Sequence, residues 1–149
     1  MTGAITFTVP GEPSPWKRAG SNGAQRFTLD SMAGHKETVR WCAHAAGVRP
    51  VDCPVRLDVV AIFATPRSWS VNRRLAAIGC PVAKTPDGDN LVKLIADALE
   101  GIAYPNDKQV ALGLTAKIWG GTPRTVITVT LIPADLPLMG LPGMPEHAS

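Results

Sequence analysis

The spacing of apolar side chains along this chain switches between a period of two and a period near 3.6, and each switch marks an element. From Ile5 to Val9, threonine alternates with Ile, Phe and Val, which predicts a strand that Pro10-Gly11 ends. Glu12 to Gly23 holds Pro13, Pro15, Gly20 and Gly23 and reads as a loop. Met32, Val39, Cys42, Ala43 and Ala46 follow a helical period, so a helix is expected from Asp30 or Ser31 as N-cap to about Ala46, with Gly47 past its end. Val55–Phe63, opened by Pro54 and closed by Pro66, is a strand apolar enough for cover on both faces, and Val71–Ile78 is a short helix. Asp89–Glu100 is the clearest element: Leu91, Leu94, Ile95, Ala98 and Leu99 form one apolar stripe, with Asp89 as N-cap and Gly101 as stop. Gln109–Trp119 alternates again, Gly120-Gly121 turns, and Arg124–Ile132 returns, which predicts an antiparallel hairpin. The expected fold class is α+β: a single domain over residues 1–132, a mixed β-sheet of about four strands, and two or three helices packed on it. Residues 133–149 carry four prolines and are expected to form a flexible tail.

Composition narrows the class. With 149 residues, 45% hydrophobic and 18% charged, the chain suits one globular domain and not a disordered one. There is no run of about 18 apolar residues for a membrane span, and no charged segment followed by an apolar one for a secretory signal. Cys42, Cys53 and Cys80 are widely spaced and without metal-ligand pattern, so reduced thiols in a cytoplasmic setting are expected. Charge is divided unevenly: residues 1–84 carry +6 and residues 85–149 carry −3, with Asp87, Asp89, Asp97 and Asp107 inside 21 positions. A basic half beside an acidic cluster suits a polyanion-binding surface around a metal site, and ordinary charge scatter is the plain alternative.

The chemistry is concentrated in Thr85-Pro86-Asp87-Gly88-Asp89-Asn90-Leu91-Val92-Lys93 and its continuation to Asp97 and Asp107. Asp87 and Asp89 stand two apart just before a helix, and Lys93 and Asp97 follow Asp89 at i+4 and i+8 on one helical face. Asp107 follows a turn and is expected to return to the same helix end. Such oxygen clusters suit hard divalent cations: Mg²⁺ takes one or two carboxylates, waters and phosphate oxygens. An EF-hand is excluded, because its twelfth position counted from Asp87 is Ala98. The competing structural reading makes Asp89 a helix cap and Asp97 the ion-pair partner of Lys93.

The whole pattern resembles the RusA family of Holliday-junction resolvases, whose signature runs approximately K-P-D-x-D-N-L-x-K, an Asp-Ala-Leu helix, and D-D-x-Q-V. Here it is met by Lys84-Thr85-Pro86-Asp87-Gly88-Asp89-Asn90-Leu91-Val92-Lys93, by Asp97-Ala98-Leu99, and by Asn106-Asp107-Lys108-Gln109-Val110. Thr85 is set between the lysine and the proline, and Asn106 replaces the first aspartate of the D-D pair. The resemblance implies a Mg²⁺-dependent endonuclease, with Mn²⁺ as a substitute, that resolves four-way DNA junctions as a homodimer by paired symmetric nicks. It implies Asp87, Asp89 and Asp107 as metal-binding carboxylates, Lys93 as a catalytic lysine, and Asp97 and Lys117 as support. Lys17, Arg18, Arg26, Arg67, Arg73 and Arg74 are candidate phosphate contacts, and Trp69, beside basic residues, offers a ring for base stacking. A non-catalytic junction-binding module and a nuclease for forks or flaps are the alternatives.

Overall fold

In a computed structural model, residues 3–16 and 23–148 are described, with the backbone alone for residues 23–30. Among the described residues the fold is an α+β domain with one mixed five-stranded sheet and three α-helices, two of which pack on the sheet. The middle of the sheet is β2 (Val55–Ala64), which alternates buried Val55, Leu57 and Val59 with half-buried neighbours and then buries Ala61, Ile62 and Phe63 in succession. On one side β2 pairs antiparallel with β5 (Arg124–Leu131), which pairs in turn with β1 (Ala4–Pro10). On the other side it pairs in parallel with β3 (Val110–Leu112) and, further along, with β4 (Thr115–Gly120).

This arrangement corrects the expected hairpin. β4 and β5 are not partners, because β2 lies between them. The alternation of Val110 to Trp119 establishes a strand but does not choose its neighbour. Once β5 has filled the place between β1 and β2, β4 is left with the far edge, and residues 121–123 cross the end of β2. The predicted strand at 109–119 is also broken. It opens with a 3-10 turn at Asp107–Gln109, takes one extra residue between Val110 and Leu112, and pauses at Gly113-Leu114. There the Asp58 carboxylate accepts from Leu114 N–H at 2.8 Å, and Val59 N–H donates to the Leu114 carbonyl at 2.9 Å.

Two helices bury the inner face of the sheet. Leu91, Leu94, Ile95 and Ala98 of α3 (Gly88–Ala98) are buried as the apolar stripe requires. Leu94, Ile95 and Ala98 join Phe7, Val9, Leu57 and Ile127 of the sheet, and Val39 and Ala43 of α1, in one core. α1 runs Gly23–Ala45, longer than expected, so positions 30 and 31 lie inside the helix and not at its start. Helix propensity is a weak prior, and a helix supported by packing absorbs such residues. Its end is as expected: Gly47 has φ +91°, and Val48 N–H reaches back to the Ala43 carbonyl. The short α2 (Val71–Ala77) buries no side chain, and Ser70 Oγ caps it by accepting from Arg73 N–H. Residues 133–148 form turns with neither helix nor strand. Among the described residues no helix is long and apolar enough to cross a membrane.

Candidate active site

After α2 the chain runs back along the outer edge of β4. Trp119 N–H donates to the Cys80 carbonyl and Val82 N–H to the Lys117 carbonyl, so residues 80–82 act as a short edge strand. The chain then passes a cis Thr85–Pro86 peptide and enters α3. The N-cap is Asp87, not the expected Asp89. The Asp87 carbonyl takes Leu91 N–H, yet its side chain makes no capping bond. Asp89 lies in the first turn, and both carboxylates are exposed. Gly88 packs closely here: a Cβ would lie 3.3 Å from Thr115 Cγ2 on β4, a tight contact that the threonine side chain would have to relieve.

Beside Asp87 opens a cleft of about 360 Å³ between the Pro13–Trp16 loop and the Thr85–Asn90 segment. Trp16 N–H donates to the Asn90 carbonyl at 2.9 Å, which ties that loop to the first turn of α3. One turn on, Lys93 Nζ sits 4.8 Å from the centroid of the Trp16 ring and 3.9 Å from Asp97 Oδ2. The indole face and the carboxylate together hold the ammonium on the side of the helix that the cleft occupies. Lys117 also serves this region: its Nζ donates to the Lys84 carbonyl at 2.6 Å and to the Pro86 carbonyl at 2.9 Å.

Asp107 is elsewhere. Its N–H donates to Glu100 Oε1 at 3.1 Å, and its carboxylate meets that of Asp97 near the C-terminal end of α3. Lys36 of α1, which has no local signal in the sequence to mark it, approaches the same Asp97 oxygen at 3.9 Å. Burial raises the Asp97 carboxyl above its ordinary value; Lys93 and Lys36 oppose the shift, and Asp107 adds to it by charge and hydrogen bond. Tyr104, fully buried behind the pair, donates its hydroxyl to the Ala96 carbonyl at 2.8 Å; its own pKa is raised, by burial first and then by Asp107, Glu100 and Asp97.

The acidic residues therefore form two groups. Asp87 and Asp89 stand at the N-terminal end of α3 and Asp97 and Asp107 near its other end, eight residues or about 12 Å along the axis from Asp89. The expectation that Asp107 returns to the helix end bearing Asp87 is corrected: the ten residues after α3 fold tightly against its last turn. Among the described residues no three His, Cys, Asp or Glu side chains come close enough to hold an ion together. Asp87 and Asp89 nevertheless fit Mg²⁺, which needs only one or two carboxylates when water and phosphate oxygens complete its shell. Neither side chain is engaged in a hydrogen bond or ion pair with a described residue.

Of the basic residues, Lys17, Arg18 and the Arg26 side chain lie outside the described residues. Arg67 is exposed. Arg73 lies over the Trp69 ring, 3.9 Å from its centroid, and the Trp69 edge meets Trp119 at 5.1 Å, so one face of Trp69 is covered. Lys84 lies over the Trp119 ring at 5.1 Å. Arg74 Nε donates to Thr65 Oγ1 at 3.2 Å.

Comparison with known proteins fits this arrangement of motif and sheet. Residues 10–130 match the family described as endodeoxyribonuclease RusA. No curated protein gives a significant match. The match spans both carboxylate groups, Lys93 and every strand except β1, of which it includes only Pro10, and the last residue of β5, and the chain belongs to the RusA endodeoxyribonuclease family.

Proposed function

We propose that this junction-resolving endonuclease cuts DNA with a divalent cation, Mg²⁺ with Mn²⁺ as a substitute, held by the carboxylates of Asp87 and Asp89. The observation that carries the reading is Asp87 itself. An aspartate at an N-cap normally spends its carboxylate on the helix, and here it does not. It lines a cleft instead, together with Trp16, whose indole ring holds Lys93 one turn further along the helix. A bound cation supplies an activated water and screens the scissile phosphate.

The chain's own groups do the rest. Asp87 and Asp89 would hold the cation, and through it the reacting phosphate, at the first turn of α3. Lys93, half exposed and held by Trp16 and Asp97, presents a cation to the extra negative charge of the transition state. Asp107 belongs to the catalytic set through the family motif. Its test is Asp107→Asn, expected to stop nicking while junction binding persists, with Mn²⁺ titration of the variant reporting whether it is a ligand. Arg67, Arg73 and Arg74, with Lys17, Arg18 and Arg26, supply phosphate contacts.

Two nicks on strands of like polarity need two sites related by a two-fold axis, so the working unit is a homodimer. The free thiols of Cys42, Cys53 and Cys80 suit the reducing cytoplasm of a bacterial or phage-infected cell. The catalytic domain is residues 1–132, and the Pro-rich tail is an appendage. The test is nicking of a labelled four-way junction, a fork and a linear duplex, with Mg²⁺ and with EDTA. Symmetric nicks confined to the junction and lost in EDTA are expected. Equal cutting of the fork makes the protein a fork or flap nuclease, and binding without cutting makes it a binding module.

A further inference from the structure

We infer that Lys117 is a positioning residue for Asp87 and Asp89: its ammonium, bound to the Lys84 and Pro86 carbonyl oxygens, fixes the loop that presents both carboxylates. The inference rests on the proposed role of those carboxylates.

The backbone shows why such a tie matters. The edge pairing along β4 ends where Val82 N–H meets the Lys117 carbonyl, and helical bonding begins where Leu91 N–H meets the Asp87 carbonyl. Between them, residues 83–86 make no backbone–backbone hydrogen bond among the described residues. Ala83, Lys84 and Thr85 are exposed, and beyond the Lys84 ammonium lying over the Trp119 and Phe63 rings no ring contact or ion pair among the described residues holds this stretch. Lys117 spans it, with bonds of 2.6 and 2.9 Å on either side of Thr85. The lysine is placed by register: it pairs with Ala61 on β2, and its neighbour Thr115 sits against Gly88.

The ammonium is also not otherwise engaged. An ordinary surface lysine keeps its charge in water, whereas Lys117 is half-buried and has no described carboxylate within ion-pair distance. Two of its three donors are committed to carbonyls of one loop. Charge-assisted bonds of this kind are stronger and shorter than neutral ones. A rigid support for the carboxylates is what preorganisation of a cation site demands.

The test uses the full chain carrying Lys117→Met, Lys117→Arg and Lys117→Gln, with Asp87→Asn for reference. Backbone order of residues 84, 85, 87 and 88 is read by ¹⁵N relaxation in EDTA, Mn²⁺ affinity by EPR titration, and nicking against Mg²⁺ concentration. Lys117→Met is expected to lower the order parameters from about 0.85 towards 0.6. It is also expected to weaken Mn²⁺ binding roughly ten-fold and shift the Mg²⁺ dependence of nicking by a similar factor. Lys117→Arg recovers part of each effect. Lys117→Gln serves if the Met variant fails to fold. Unchanged loop order overturns the inference, and so does weaker metal binding without loss of order, since the ammonium would then act through charge alone. If Asp87→Asn keeps wild-type Mn²⁺ affinity and nicking, it is the metal assignment that fails, whatever the loop does.

Discussion

Gly113→Ala tests the link between sheet register and site. Gly113 lies at the interruption between β3 and β4, where the backbone presses against β2. A Cβ there would overlap the Leu57 carbonyl oxygen and come within 3.2 Å of the Leu57 carbonyl carbon. The obstacle is backbone in the central strand and cannot rotate away. Overpacking costs typically 1–3 kcal/mol, and a backbone obstacle places this change at the upper end, about 3 kcal/mol. For a chain of this size that is a fall in melting temperature of roughly 6–12 °C. The same substitution at Gly121, where a Cβ meets nothing within 4 Å, should stay within about 0.5 kcal/mol. Thermal and urea unfolding of both variants checks this. Because β4 carries Lys117 and Thr115 against the active-site loop, Gly113→Ala should also require more Mg²⁺ for nicking. If Gly113→Ala melts with Gly121→Ala, the close approach of these strands is wrong, and the placement of Lys117 with it.

Other expectations follow from single residues. Leu94, fully buried between the sheet and α1, should lose about 2–5 kcal/mol as Leu94→Ala, read by urea unfolding. Burial raises the Asp97 carboxyl in the folded chain, so the folded state holds that proton more tightly than the unfolded one. Stability is therefore lost as pH rises from about 4 through the folded value, and in EDTA the wild-type urea midpoint should fall relative to Asp97→Asn over that range; parallel curves would contradict it. Arg67→Ala should weaken junction binding evenly across sequences and lower the salt slope by about one, measured by fluorescence anisotropy at several salt concentrations.

The legible parts of this fold were those where one short period carries the answer. The stripe from Leu91 to Leu99 defined α3 to within about two residues, and the D-x-D motif led to its start. The partner of β4 was not legible. Alternation states that a strand has two faces, while its neighbour depends on which edge of β2 is free after β5 has paired. The cap moved from Asp89 to Asp87 because the helix begins at Gly88, two residues earlier than a cap at Asp89 allows, and the apolar stripe starts only at Leu91. Asp107 was read towards the wrong helix end because a turn's composition marks a reversal and not its length. Lys36 reaches Asp97 from α1, 61 positions away, and Lys117 reaches the Lys84 and Pro86 carbonyls from β4, 33 and 31 positions away, and no local spacing announces either contact.

The most direct measurement is nicking of a labelled four-way junction in Mg²⁺ by the wild type and by Asp87→Asn, with junction binding measured in parallel. The account predicts paired, symmetric nicks from the wild type, none from the variant, and equal binding by both. Wild-type nicking retained by Asp87→Asn, or tight binding with no cleavage by either protein in Mg²⁺ or Mn²⁺, would contradict it.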